Sequence, residues 1–167
     1  MTGTSMTAAF QQTFDAVQQD PGVILFTVLQ WNPDRSSLKR LFTSHPADYP
    51  VGAEKTVEIS PGWLGTVIKE KKPFLAADLD GLREVFTDSE LIQKLGCGAV
   101  INVPVLDDGG NVVGVLALLD AEGKYTQQSV DTAVEVVKRN LDDLVEAFAA
   151  HPTDDTKVPE VPGKDTV

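Results

Sequence analysis

The sequence predicts an α+β fold built on an antiparallel sheet. Two observations carry that expectation: two strand–turn–strand units separated by helical stretches, and amphipathic helices near both ends of the chain. A doubly wound parallel sheet would instead alternate strand and helix throughout.

The leading helix is expected over Thr4 to Asp20, where Phe10, Phe14 and Val17 recur at helical spacing. Thr4 or Ser5 can cap it, and Pro21-Gly22 stops it. Val23-Ile-Leu-Phe-Thr-Val-Leu29 reads as a strand buried on both faces. Asn32-Pro33-Asp34 turns the chain, and Ser37 to Ser44 returns as its partner. The apolar content of this hairpin marks a central place in the sheet. An irregular stretch, His45 to Ser60, follows.

Ser60-Pro61 opens a second helix, with a capping hydroxyl and then proline where its missing N–H costs nothing. Trp63, Leu64, Val67 and Ile68 form its inner stripe, and it ends before Pro73. Phe74 to Ala77 is a short strand. Asp80 to Gly96 holds one or two short helices with Leu82, Val85, Phe86, Leu91, Ile92 and Leu95 inward. Ala99 to Val105 and Val112 to Leu119 form the second hairpin around the loop Asp107-Asp-Gly-Gly-Asn111.

Thr126 caps a long closing helix that reaches about Ala150. Its apolar positions Val130, Val134, Val137, Leu141, Leu144 and Phe148 alternate four and three apart. Two readings fit that stripe: a helix packed on its own sheet, or a seam shared with a second copy and joined by the leading helix. Residues 7–150 thus form one domain. Residues 1–6 are expected to be flexible. Residues 151–167, with Pro152, Pro159 and Pro162, are expected to be a disordered tail.

A net charge of −11, from 14 Lys and Arg against 25 Asp and Glu, disfavours nucleic acid and anionic membranes as partners. The densest basic run, Lys69-Glu70-Lys71-Lys72, sits at a helix end, where cations favour the terminal carbonyls. The single Cys97 excludes an internal disulfide and suits a reducing compartment. Met1 to Asp20 lacks the features of a secretory signal, and the longest apolar runs fall well short of the roughly 20 residues that span a bilayer. The expected location is the cytoplasm.

At this point the residues resemble the GAF domain family. The likeness rests on the buried strand Ile24 to Leu29, on Gly62-Trp63-Leu64-Gly65-Thr66-Val67, and on Lys72-Pro73-Phe74 followed by Asp78. It rests most on Val103-Pro104-Val105, a glycine-containing turn, Val113-Gly114-Val115-Leu116-Ala117-Leu118 and Tyr125-Thr126. Phe42-Thr43-Ser44-His45-Pro46, Leu95-Gly96-Cys97-Gly98 and Asn102-Val103-Pro104 further resemble stand-alone bacterial members. The resemblance covers most of residues 7 to 149. It implies a profilin-like, five- or six-stranded antiparallel sheet, with terminal helices on one face and a small-molecule cavity on the other, roofed by the middle segment.

Three GAF subtypes can be compared. Free methionine-R-sulfoxide reductases need an attacking and a resolving cysteine, and Cys97 stands alone. The Asn-Lys…Phe…Asp-Glu signature of cyclic-nucleotide-binding members is absent. Bilin-binding members attach chromophore through a cysteine commonly beside histidine, whereas Gly96 and Gly98 flank Cys97.

The candidate pocket residues are Trp63, Phe86, Cys97, Asn102 and Tyr49. Aromatic walls with a few polar groups describe a small-molecule site, although aromatics at helical spacing also serve as plain core. Asn102 sits among apolar strand residues, so its amide needs a partner: backbone, a helix end, water or a ligand. Cys97 reads as a small buried hydrophobe or as a redox or ligand-lining thiol. Ser44 and His45 are neighbours in an extended chain, which should point them to opposite faces. With only His45 and His151 present, no metal site or hydrolytic triad is expected, and no cofactor. Asp107 and Asp108 read as turn residues, and Gly109-Gly110 lacks the Lys and Ser/Thr of a phosphate loop. The expectation is a non-catalytic sensory module with an unknown small ligand, acting through a homodimer of its terminal helices or through a partner protein. The alternatives are a sulfoxide reductase and a purely structural interaction domain.

Overall fold

The computed structural model describes residues 5–33, 37–45, 47, 54–55, 61–85 and 90–150. Tyr49, Phe86 and the segments 1–4 and 151–167 lie outside them. The leading helix α1 runs Ser5–Gln19, and strands β1 (Leu25–Asn32) and β2 (Ser37–Thr43) form the first hairpin. A two-residue strand β3 (Glu54–Lys55) edges β2. Helix α2 (Pro61–Trp63) opens at the proline and continues as a π-helical turn through Leu64–Lys69. Then come β4 (Phe74–Ala76), α3 (Leu79–Val85), α4 (Glu90–Lys94), β5 (Ala99–Leu106), β6 (Val112–Asp120), α5 (Gln127–Arg139) and α6 (Leu141–Ala149).

All five strand pairings are antiparallel, in the order β3-β2-β1-β6-β5-β4. Strands β1 and β6 lie in the centre. Leu25 through Gln30 are buried without a break, because both faces of β1 are covered.

Alternation along the strands sorts the side chains into two layers. Phe26 and Val28 of β1, Ile101 and Val103 of β5, and Leu116 and Leu118 of β6 face the terminal helices. Phe10, Val17, Val130, Ala133, Val137, Leu144 and Phe148 cover them. Phe10 and Phe148 meet with ring centroids 5.4 Å apart, and Phe14 stacks on Phe26 at 5.6 Å. Fully burying side chains of this size contributes about 1.5–3 kcal/mol each. The four-three stripe of the closing helices is therefore seated on its own sheet, and Val134 and Leu141 remain half-buried at its margin.

Gly114 lets this layer close. A Cβ there would stand 2.2 Å from Cζ of Phe148 and 2.7 Å from the carbonyl oxygen of Leu29.

The closing helix is not continuous, contrary to the expected span. Asn140 leaves helical geometry at φ −109° and ψ 12°. Its side-chain Nδ2 donates to the Val136 carbonyl at 2.8 Å, an alternative to the backbone ladder that asparagine offers readily. The helix then restarts, with Leu144 N–H donating to the Asn140 carbonyl and Asp142 and Asp143 in the first turn, where negative charge is favoured.

Candidate functional site

The opposite face of the sheet carries the candidate site. Pairing registers set Thr27, Ala117, Asn102 and Phe74 in one row across β1, β6, β5 and β4, with Thr43 opposite Thr27 on β2. An apolar cluster lies on each side of that row. One holds Leu25, Val100 and Leu119 with Leu82, Ile92 and Cys97. The other holds Leu29 and Val115 with Leu38, Trp63 and Val67.

Trp63 reaches the row from α2. Its indole Nε1–H donates to Asn102 Oδ1 at 2.9 Å, so two of the residues singled out in the sequence are bonded to each other. The indole can only donate, which fixes the amide orientation and turns Nδ2 away as a donor. Among the described residues that Nδ2 has no hydrogen-bond partner, and neither has the hydroxyl of Thr27. Both residues are buried, at 1% and 0% exposure. Leaving such groups unpaired costs about 1–3 kcal/mol each.

The turn after Trp63 was not foreseen. Glu70 N–H donates to the Gly65 carbonyl five residues back, and Lys71 takes a left-handed φ of 61° before Lys72 N–H reaches Thr66. Apolar spacing predicted the inner positions Trp63 and Val67 correctly, yet it does not distinguish an α turn from a π turn. Turns of the latter kind are rare and recur at functional sites.

Cys97 lies in the first cluster, in the loop entering β5, apart from the Trp63–Asn102 pair. Burial, and secondarily the Asp120 carboxylate, push its thiol from 9.0 up to about 12. It is therefore a neutral thiol at physiological pH and a poor nucleophile. Burial first, then Asp120 and Cys97, also raise the Tyr125 phenol, whose O–H donates to the Gly22 carbonyl at 2.7 Å. Tyr49 and Phe86, the other two expected pocket residues, fall outside the described segments.

Ser44 and His45 correct an expectation. Ser44 Oγ lies 3.0 Å from His45 Nδ1, because the chain has left β2 at Thr43 and strand alternation no longer separates them. Ser44 Oγ also accepts from Phe26 N–H, which closes the β1–β2 pairing. Among the described residues no carboxylate bonds the imidazole, so the pair lacks the third member of a hydrolytic triad. Asp107 Oδ1 accepts from the N–H groups of Gly109 and Asn111, a turn lock. Among the described residues no group of three or more His, Cys, Asp or Glu could hold a metal ion, and no helix is long and apolar enough to cross a membrane.

A separate open groove of about 430 Å³ lies at the hairpin end of the sheet, lined by Trp31, Val113, Val145, Phe148 and Ala149. Its buried polar residue, Gln30, donates from Nε2 to the Phe148 carbonyl at 3.4 Å. It carries no titratable pair suited to chemistry.

Sequence reasoning missed Thr27. The signal was there: a hydroxyl between Leu25 and Leu29 on an otherwise apolar face of the strand.

A family model described as GAF domain matches residues 3–138. No curated protein matches the chain in sequence. Among solved structures, a methyl-accepting chemotaxis protein fragment, residues 122 to 287, has a TM-score of 0.64 at 15% identity, covering 87% of this chain and 92% of that one. The GAF domain of a two-component sensor histidine kinase from Bacillus halodurans gives 0.63 at 13% identity, with coverage of 86% and 92%. The free methionine-R-sulfoxide reductase from Neisseria meningitidis, in complex with its substrate, gives 0.60 at 13%, with coverage of 87% and 86%. At such identities the likeness speaks for the fold alone. Taken with a family match over most of its length, the six-stranded antiparallel sheet and its two helical layers place this chain in the GAF domain family.

Proposed function

We propose that the chain is a non-catalytic sensory module. It holds a small molecule between the sheet and α2, and passes the signal on through self-association of its terminal helices or through a partner protein, in the cytoplasm. One observation carries this reading: a tryptophan and an asparagine bonded to each other, with two buried polar atoms in their row that have no partner among the described residues. A side-chain-filled structural domain gains nothing from such a row, whereas a binding site uses it for recognition. The similarity to a chemotaxis protein and to a sensor kinase domain agrees with a sensory role. Bound ligand would bias the position of α2, whose π turn follows Trp63 directly.

The likeness to a sulfoxide reductase raises thiol catalysis as the second reading. Against it stand a single cysteine, its burial and its raised pKa.

Native mass spectrometry and fluorescence test the proposal. The chain has two tryptophans, so Trp31→Phe leaves Trp63 as the sole indole. The expected result is a released mass on denaturation, or a shift of Trp63 emission with a fraction of host-cell extract. A chain with no bound mass and an unresponsive Trp63 would overturn the sensory reading. Thiol-dependent turnover of free methionine-R-sulfoxide, abolished by Cys97→Ser, would install the reductase in its place.

A further inference from the structure

We infer that the open groove at the hairpin end of the sheet is a second binding site, separate from the Trp63–Asn102 pair, and that it takes a protonated primary amine carrying an apolar or aromatic group. The inference goes beyond the sensory reading and does not depend on it.

Room and apolar surface are both present. The groove has a volume of about 430 Å³, within the range of small-molecule sites, roughly 300–1,000 Å³. Trp31, Val113 and Val145 line it and are only half-buried, so a ligand can still cover them. Phe148 adds a second aromatic wall, seated where Gly114 has no side chain.

The charge of the lining has one sign. Asp107 brings a carboxylate, whose Oδ1 accepts from Gly109 and Asn111 N–H. Phe148 and Ala149 bring the C-terminal turn of α6, the end of a helix that carries partial negative charge and carbonyls without intrahelical partners. Helix α5 places its own cations at that end, Lys138 and Arg139, whereas the last turn of α6 has none. Among the described residues no Lys, Arg or His lines the groove. Lys71, which reaches the same loop, is bonded to the Gly110 carbonyl at 2.5 Å. The net charge of −11 draws cations towards the molecule and repels anions.

These features select the ligand. Ammonium N–H groups suit the carboxylate and the helix-end carbonyls, and aromatic faces attract a cation further. The apolar part of the amine covers Val113 and Val145. A neutral analogue forfeits the charge, and a carboxylate on the ligand would face Asp107 and the helix end.

The test titrates 2-phenylethylamine, the neutral 2-phenylethanol and the anionic 3-phenylpropionate into the whole nitrogen-15-labelled chain at pH 7. Trp31→Phe assigns the indole N–H signals of the two tryptophans. The amine is expected to bind roughly tenfold or more tightly than either analogue, shifting the Trp31 signal and leaving that of Trp63 in place. Asp107→Asn keeps an oxygen for the Gly109 and Asn111 N–H groups while removing the charge, and should weaken the amine about fivefold. If that loop opens instead, Ala149→Lys decides. It places an ammonium at an exposed position in the last turn of α6, where a cation is favoured, and should weaken the amine roughly tenfold.

Equal binding of amine and alcohol overturns the inference, as does preference for the anion or no binding of the amine. A shift at Trp63 in place of Trp31 overturns it, and so does full affinity in both Asp107→Asn and Ala149→Lys. Amine binding that appears only in Lys157→Gln/Lys164→Gln would give the groove to the chain's own cations and overturn it too. None of these outcomes removes the sensory reading, because the two sites are followed through different indoles.

Discussion

Gly114 and Cys97 show how much a single position can dictate here. Gly114 is needed for its missing side chain: the Phe148 ring fills the space that a Cβ would occupy, and the Leu29 carbonyl blocks retreat on the other side. Gly114→Ala is expected to destabilise the domain by about 1–3 kcal/mol through overpacking, measured by urea denaturation. Trimming the ring as well, in Gly114→Ala/Phe148→Leu, should recover part of that loss. Cys97 acts through its proton. Its thiol ionises near 9.0 when unfolded and near about 12 when folded, so its contribution is complete below pH 9 and drains away as pH climbs towards 12. By about pH 10 the loss from this group amounts to about 1 kcal/mol. Denaturation at pH 8 and pH 10 should show a smaller alkaline loss in Cys97→Ala than in wild type. An equal loss in both would mean that burial does not hold this thiol neutral.

At the scale of elements, local signals set most boundaries. Thr126 caps α5 as its sequence position promised: its Oγ1 accepts from Ser129 N–H, and Ser129 Oγ accepts from Thr126 N–H. Thr126→Ala should cost about 1 kcal/mol, visible in Tm and in faster amide exchange in the first turn of α5. Exchange confined to other elements would show that the cap is dispensable. The hairpins, the proline start of α2 and the two short helices before β5 were legible for the same reason, since turn and cap residues act within a few positions of themselves. The break at Asn140 and the π turn after Trp63 were not legible. Both keep the same apolar spacing as an unbroken α-helix, and both depend on which carbonyl a given N–H reaches.

For the molecule as a whole, the proposed homodimer predicts twice the chain mass by light scattering. Val134, Leu141 and Val145 sit half-buried at the outer margin of the terminal helices. Leu141→Asp should therefore yield a monomer, and Trp63→Ala, on the far side of the sheet, should leave the dimer intact. A wild-type monomer would remove self-association from the signalling scheme. The sequence by itself determined the α+β class, the antiparallel hairpins and the core face of each helix, and it singled out Trp63 and Asn102, whose bond only the structure shows. These follow from periodicity, turn chemistry and the need of a buried amide for a partner, all of which act along the chain. Only the tertiary structure decided the rest. It placed Thr27 in line with Asn102, separated Cys97 from the indole, and brought Ser44 and His45 together. Such relations depend on register between strands far apart in sequence, and no residue records its cross-strand partner in its own neighbourhood.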